Sequence, residues 1–159
     1  MAFNELLVSP VSYAPPAHVL EGLSDVEAVR RIDGIPHAVA ELVAHLSFWQ
    51  EWFLDRCRGT ATPMAKHATD GWPPAPPGCW DETRRRFLEG LRQAAAVGSK
   101  ADRLARPLSP AIESPRLSHY TVRDALTHVA VHNAHHLGQV VVLRQLLGRW
   151  PPPSGSWTW

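Results

Sequence analysis

The stretch TVRDALTHVAVHNAHHLGQVVVLRQLLG, residues 121–148, decides the reading of this chain. It lies within the longest run free of proline, 116–150, and it predicts a helix over 122–147. Thr121 with Asp124 resembles a capping box, although Glu or Gln is the better partner at that position. Gly148 closes the segment. Working outward, residues 36–58 place Val39, Leu42, Val43, Leu46, Trp49, Trp52 and Phe53 three and four apart, the period of one helical face. Pro36 suits a first helical turn and Gly59 a stop. Residues 80–97 repeat the pattern, with Phe87, Leu88, Leu91 and Ala95 facing inward. Ser24 and Glu27 cap a short helix over 25–31, and 17–22 adds a turn or two. A first helix is expected to break or bend near Pro15-Pro16.

Fifteen prolines separate these segments. Each removes a backbone donor and clashes inside a helix. No alternating run or Asn-Gly turn signals a strand. The expected fold is all-α: one domain over 1–159, a four-helix bundle with long proline-rich connections. The connection over 60–79 is longer than usual, which is where functional loops occur.

Composition narrows the function. Charged residues make up 19% and the formal net charge is +1, so neither nucleic acid nor an anionic membrane is an expected partner. The basic run Arg84-Arg85-Arg86 stands beside Asp81 and Glu82 and reads as a solvated helix face. The N-terminal MAFNELLVSPVSYAPP lacks the pattern of a signal peptide, and no apolar run approaches a membrane span. Cys57 and Cys79 have no metal or redox spacing, and free thiols in a cytoplasmic protein are expected.

The histidines carry the chemistry. His128, His132 and His136 recur every four residues, so their side chains share one helix face. Two imidazoles one turn apart can ligate one divalent ion. The glutamate of a zincin motif is missing, since Asn133, Ala134 and His135 fill the interval. A third ligand must project from a facing helix. His45, three residues after Leu42 and four before Trp49, lies on or beside the apolar stripe of 36–58. Two readings stand at this point: imidazoles buried with hydrogen-bond partners, or imidazoles that share an ion.

The stretches "ELVAHLSFWQEW" and "HVAVHNAHHLGQVVVLRQLLGRWPPP" resemble the DinB-like superfamily of metalloenzymes. The likeness is most specific over His132-x-x-x-His136-x-Gly138-Gln139, followed by Leu143-Arg144 and Leu147-Gly148. It extends loosely from "HVLEGLSDVEAVRRIDGIPHAVAELVAHL" through "GWPPAP". The resemblance implies a four-helix bundle in which His45, His132 and His136 hold a divalent metal ion. The proline-interrupted N-terminus departs from that pattern, and no fourth protein ligand matches a family position.

Zinc or nickel is the expected ion, with iron or manganese as alternatives, because imidazole suits several metals. Three neutral ligands leave an open position, the catalytic rather than the structural pattern. The resemblance implies thiol-dependent S-transferases, a thiol-dependent isomerase or hydrolases that activate water. The expected function is therefore a metal-dependent enzyme on a small molecule, of thiol S-transferase type, with a low-molecular-weight thiol as partner. The alternatives are a metal-dependent hydrolase and a metal-binding module without turnover. A DNA-repair effector finds no basic groove here. His128 and Gln139 are expected near the site, or His128 replaces a ligand if the register shifts by a turn. His135 points to the bundle edge or to a neighbouring subunit. Trp49 and Trp72 are pocket candidates, with core packing the simpler account of Trp49 and Trp52. Asp55, Glu51 and His128 are candidate bases. Trp72, Trp80, Trp150, Trp157 and Trp159 wall a pocket or bury a dimer surface, and a homodimer is expected.

Overall fold

The computed structural model describes residues 3–8 and 13–156. Trp157 and Trp159 lie outside the described residues, as do positions 9–12, which fall within the stretch expected to hold a bent first helix.

The chain is all-α. Three long helices dominate: α4 (Val39–Arg58), α5 (Trp80–Gly98) and α7 (Val122–Leu146). Helix α4 is central and packs against both α5 and α7. In place of a fourth long helix, the described N-terminal residues form three short turns, α1 (Glu5–Val8), α2 (Pro16–Val19) and α3 (Asp25–Ala28). Each lies on α5, α7 or both. Their buried anchors are Leu7, Val19, Leu20, Leu23 and Ala28. Pro15 and Pro16 account for the segmentation at α2, which begins at Pro16 where a missing N–H does no harm. A short α6 (Ala101–Leu104) follows α5. Among the described residues the one β-bridge joins Pro107 to Thr121 and belongs to no strand.

The caps define the long helices. In α7 the Thr121 hydroxyl accepts from the Asp124 N–H and the Asp124 carboxylate accepts from the Thr121 N–H at 2.8 Å, so Asp completes the capping box. Helix α4 begins at Val39, later than Pro36. The Glu41 carboxylate binds the Ala38 N–H at 2.8 Å and makes Ala38 the cap, while Arg31 holds the Pro36 carbonyl outside the helix. It ends at Gly59, whose φ of 91° only glycine adopts freely. The helix expected over 25–31 stops at Ala28, although its Ser24–Glu27 capping box is present.

The buried stripe of α5 is Trp80, Phe87, Gly90, Leu91, Ala94 and Gly98. Ala94 thus replaces the expected Ala95, and Leu88 is only partly buried. Trp80 is a core residue, 1% exposed, and donates its indole N–H to the Leu23 carbonyl at 2.8 Å. It walls neither a pocket nor an exposed surface. Trp150 packs edge-on against His18 and over the Arg144 guanidinium.

The long 60–79 connection is tied down rather than free. Trp52 donates to the Pro63 carbonyl at 2.7 Å, and the Asp25 carboxylate accepts from the N–H groups of Gly78 and Trp80. A 3₁₀ turn at Ala68–Gly71 brings this loop against α4.

Candidate metal centre

Helices α4 and α7 bring His45, His132 and His136 together, with their ligand atoms all within 4.8 Å of one another. His45 is 6% exposed, and the other two sit at the margin of the buried α7 face. The Nε2 atoms of His45 and His132 are 3.2 Å apart. Two nitrogens sharing a tetrahedral ion at zinc-like bond lengths lie about 3.3 Å apart, so this spacing fits a common ion.

The outward nitrogens are fixed. His45 Nδ1 donates to the Gly71 carbonyl at 2.6 Å, which leaves Nε2 as a lone pair facing the cluster. His136 Nδ1 meets Gln139 Oε1 at 2.7 Å, with the same consequence for its Nε2. Gln139 also reaches His135, at 3.4 Å. Partners of this kind orient imidazole ligands and set their tautomer. Trp72 is stacked between His37 and His45, with centroid distances of 3.8 Å on each side.

Burial dominates the electrostatics. It lowers His45 and His136 from the ordinary imidazole range and pushes His132 down to about 3, with the mutual repulsion of the histidines adding to the effect. All three are neutral at pH 7, the form that binds metal.

His128 stands outside the cluster. Its Nδ1 meets the Tyr120 hydroxyl at 3.1 Å and its ring packs on Phe53, 6.4 Å by centroid from His132. No one-turn register shift places it among the grouped ligands. Trp49 packs on Phe48, Trp52 and the Gly71 turn, so its place is beneath the loop. Glu51 pairs with Arg86, and Asp55 meets Arg58 and Thr62, leaving His128 as the one candidate base that lines a cavity beside the cluster.

Residues 17–140 match the family model of the DinB superfamily. The chain belongs to the DinB superfamily. Comparison with curated proteins and with solved structures gave no match. The DinB match spans all three clustered histidines together with Gly71, Trp72 and Gln139.

In this DinB chain two cavities flank the cluster and share His135. One, of about 520 Å³, is walled mainly by apolar groups, among them Ile35, Leu42, Val142 and Leu143, with His37 and Gln139 at its polar end. The other, of about 580 Å³, includes His132 itself with His128, Tyr120 and His119. Sequence reading missed His37 and Tyr120: His37 sits at the start of the segment expected to be helical over 36–58 and Tyr120 before the one over 122–147, and only the fold brings them close. It also missed Gln50, which is 1% exposed and donates to the Phe87 carbonyl while accepting from Asn133. This pair ties α4, α5 and α7 together beneath the cluster.

Proposed function

We propose that His45, His132 and His136 hold a divalent metal ion and that the protein is a metal-dependent enzyme acting on a small molecule, of thiol S-transferase type. The observation that carries this reading is the 3.2 Å spacing of His45 and His132 Nε2, with His45 fixed by a backbone carbonyl on its far side. Zinc or nickel suits a three-imidazole set, with iron or manganese as alternatives. When bound, such an ion supplies Lewis acidity that lowers the pKa of a coordinated thiol or water.

The remaining contributions belong to the chain. Gly71 and Gln139 hold two of the rings by their outward nitrogens. Among the described residues the group contains three side chains, which suits an open position rather than a closed structural site. The adjoining cavities have the volume of small-molecule sites. The Tyr120–His128 pair lies in the same cavity as His132 and is suited to exchange a proton with a substrate there. These features favour an enzyme over a metal-binding module without turnover.

The test is elemental analysis of untagged protein purified without a nickel column, beside His132→Ala. About one divalent ion per chain, lost in the variant while helical circular dichroism persists, supports the site and opens a thiol-transfer and hydrolysis screen. No metal after addition of zinc, nickel or manganese rules it out. A homodimer is proposed on a separate observation. Val131, Val142 and Leu146 are 64%, 53% and 58% exposed along one face of α7. A monomeric mass by light scattering refutes it.

A further inference from the structure

A second cavity of different chemistry lies at the far end of α4. Its volume is about 210 Å³, and Arg56, Arg58, Lys100, Arg103 and Arg106 contribute to its lining, with no carboxylate among the lining residues. These cations come from the last turn of α4, from α6 with the residue before it, and from the segment after α6. Arg56 is eleven residues beyond His45 on one helix, about 16 Å along the axis, so the cavity is separate from the histidine centre.

Six of the arginines elsewhere are neutralised. Arg31, Arg84, Arg85, Arg86, Arg92 and Arg149 each pair with a carboxylate. At this cavity the single ion pair among the described residues is Arg58 with Asp55, at 3.5 Å. Lys100, Arg103 and Arg106 have no such partner among the described residues.

Arg56 adds the decisive feature. It is 5% exposed and sits over the Trp52 ring. Its terminal nitrogens donate to the carbonyls of Ala111 at 2.7 Å and Thr62 at 3.5 Å, while Nε has no hydrogen-bond partner. Carbonyl groups satisfy N–H donors but bring no countercharge, and a buried cation without an anion is costly. The other buried arginine, Arg144, uses its Nε on the Arg149 carbonyl and feels Glu21 and Glu27. At the α4 end two of the terminal carbonyls are capped, since the N–H groups of Gly59 and Thr60 bond back to Arg56 and Asp55.

We propose that this cavity binds the phosphate group of a small anion, either free phosphate or a phosphomonoester. Guanidinium groups match phosphate oxygens in geometry as well as charge. The volume suits one phosphate with a small organic group and is too small for a polymer.

Calorimetric titration of the metal-loaded chain with inorganic phosphate and with glycerol phosphate tests the site. The comparison proteins are His132→Ala, Arg103→Glu/Arg106→Glu, and Lys100→Glu as a second, milder charge reversal. The expected result is one-to-one binding that survives His132→Ala. It weakens at least about tenfold in the charge-reversed proteins, whose metal content and helical circular dichroism are unchanged. Tighter binding of glycerol phosphate than of phosphate identifies a phosphomonoester, and the reverse identifies free phosphate; both uphold the site. Three results overturn it: no saturable binding at millimolar concentration, binding abolished by His132→Ala, or a duplex oligonucleotide bound more tightly than either probe. The first and third leave the metal centre untouched, and metal analysis reads that centre independently.

Discussion

The Gly71 carbonyl lies 2.6 Å from His45 Nδ1, so a residue of the long proline-rich loop decides which nitrogen of an α4 histidine faces the cluster. The loop approaches this closely because Gly71 has no side chain. A Cβ there sits 2.7 Å from Trp49 Nε1 and 3.0 Å from two more indole atoms. Gly71→Ala is therefore expected to push the turn away and release the ring. Loss of such a partner lowers metal affinity about 10–100-fold. Competition with a chromogenic chelator measures it, and unchanged affinity in a folded variant contradicts the positioning role of Gly71.

The metal-free protein should lose stability on mild acidification. Burial holds His45, His128, His132 and His136 below the ordinary imidazole range, His132 at about 3. At about pH 8 and above these groups are neutral in folded and unfolded chains alike and contribute no slope. Below it the unfolded chain takes up protons that the folded chain refuses, so stability falls as pH falls. The depressed carboxylates Glu27 and Asp124 act in the same direction, but only below their ordinary range near pH 4. A melting temperature that drops between pH 7 and pH 5 is expected; a flat or rising one excludes buried neutral histidines.

Gly90 faces Gln50 across the α4–α5 contact. A Cβ at Gly90 lies 2.1 Å from Gln50 Nε2, the atom that donates to the Phe87 carbonyl. Gly90→Ala gains helix propensity of up to about 1 kcal/mol, yet it displaces a buried amide from its partners, at about 1–3 kcal/mol for each group left unsatisfied. The net expectation is destabilisation by about 1–2 kcal/mol in urea titration. Gly90→Ala more stable than the parent means that Gln50 repacks freely.

The two cysteines are both free and should behave differently toward a thiol reagent. Cys57 is half-buried, and burial pushes its thiol up to about 11, whereas Cys79 is exposed. At pH 8 the native chain is expected to show one fast-reacting thiol, removed by Cys79→Ser, with the second appearing on unfolding. Two equally fast thiols in the native chain mean that Cys57 is accessible.

Local chemistry made much of this protein legible from its residues. The 3.6-residue period, the Thr121–Asp124 cap and Gly59 marked the long helices, because caps and periodicity act within a few residues of chain. The i, i+4 spacing of His132 and His136 also followed from one helix. His45, on or beside the apolar stripe of its own helix, is the candidate third imidazole, and its ligand atom lies within 4.8 Å of those of His132 and His136. Tertiary structure decided what depends on residues far apart in sequence. It replaced the fourth long helix by short N-terminal turns and moved Trp80 from a pocket wall into the core. It brought Gly71 to His45, His37 to Trp72 and Gln50 to Asn133, contacts that no periodicity announces. Sequence showed one basic run, Arg84-Arg85-Arg86; its neighbours Asp81 and Glu82 neutralise two members within α5, and packing adds Glu51 for Arg86. Four cations without a carboxylate partner among the described residues, Arg56, Lys100, Arg103 and Arg106, are scattered along the chain. They form one charged cavity only because the end of α4 packs beside α6 and the segment that follows it.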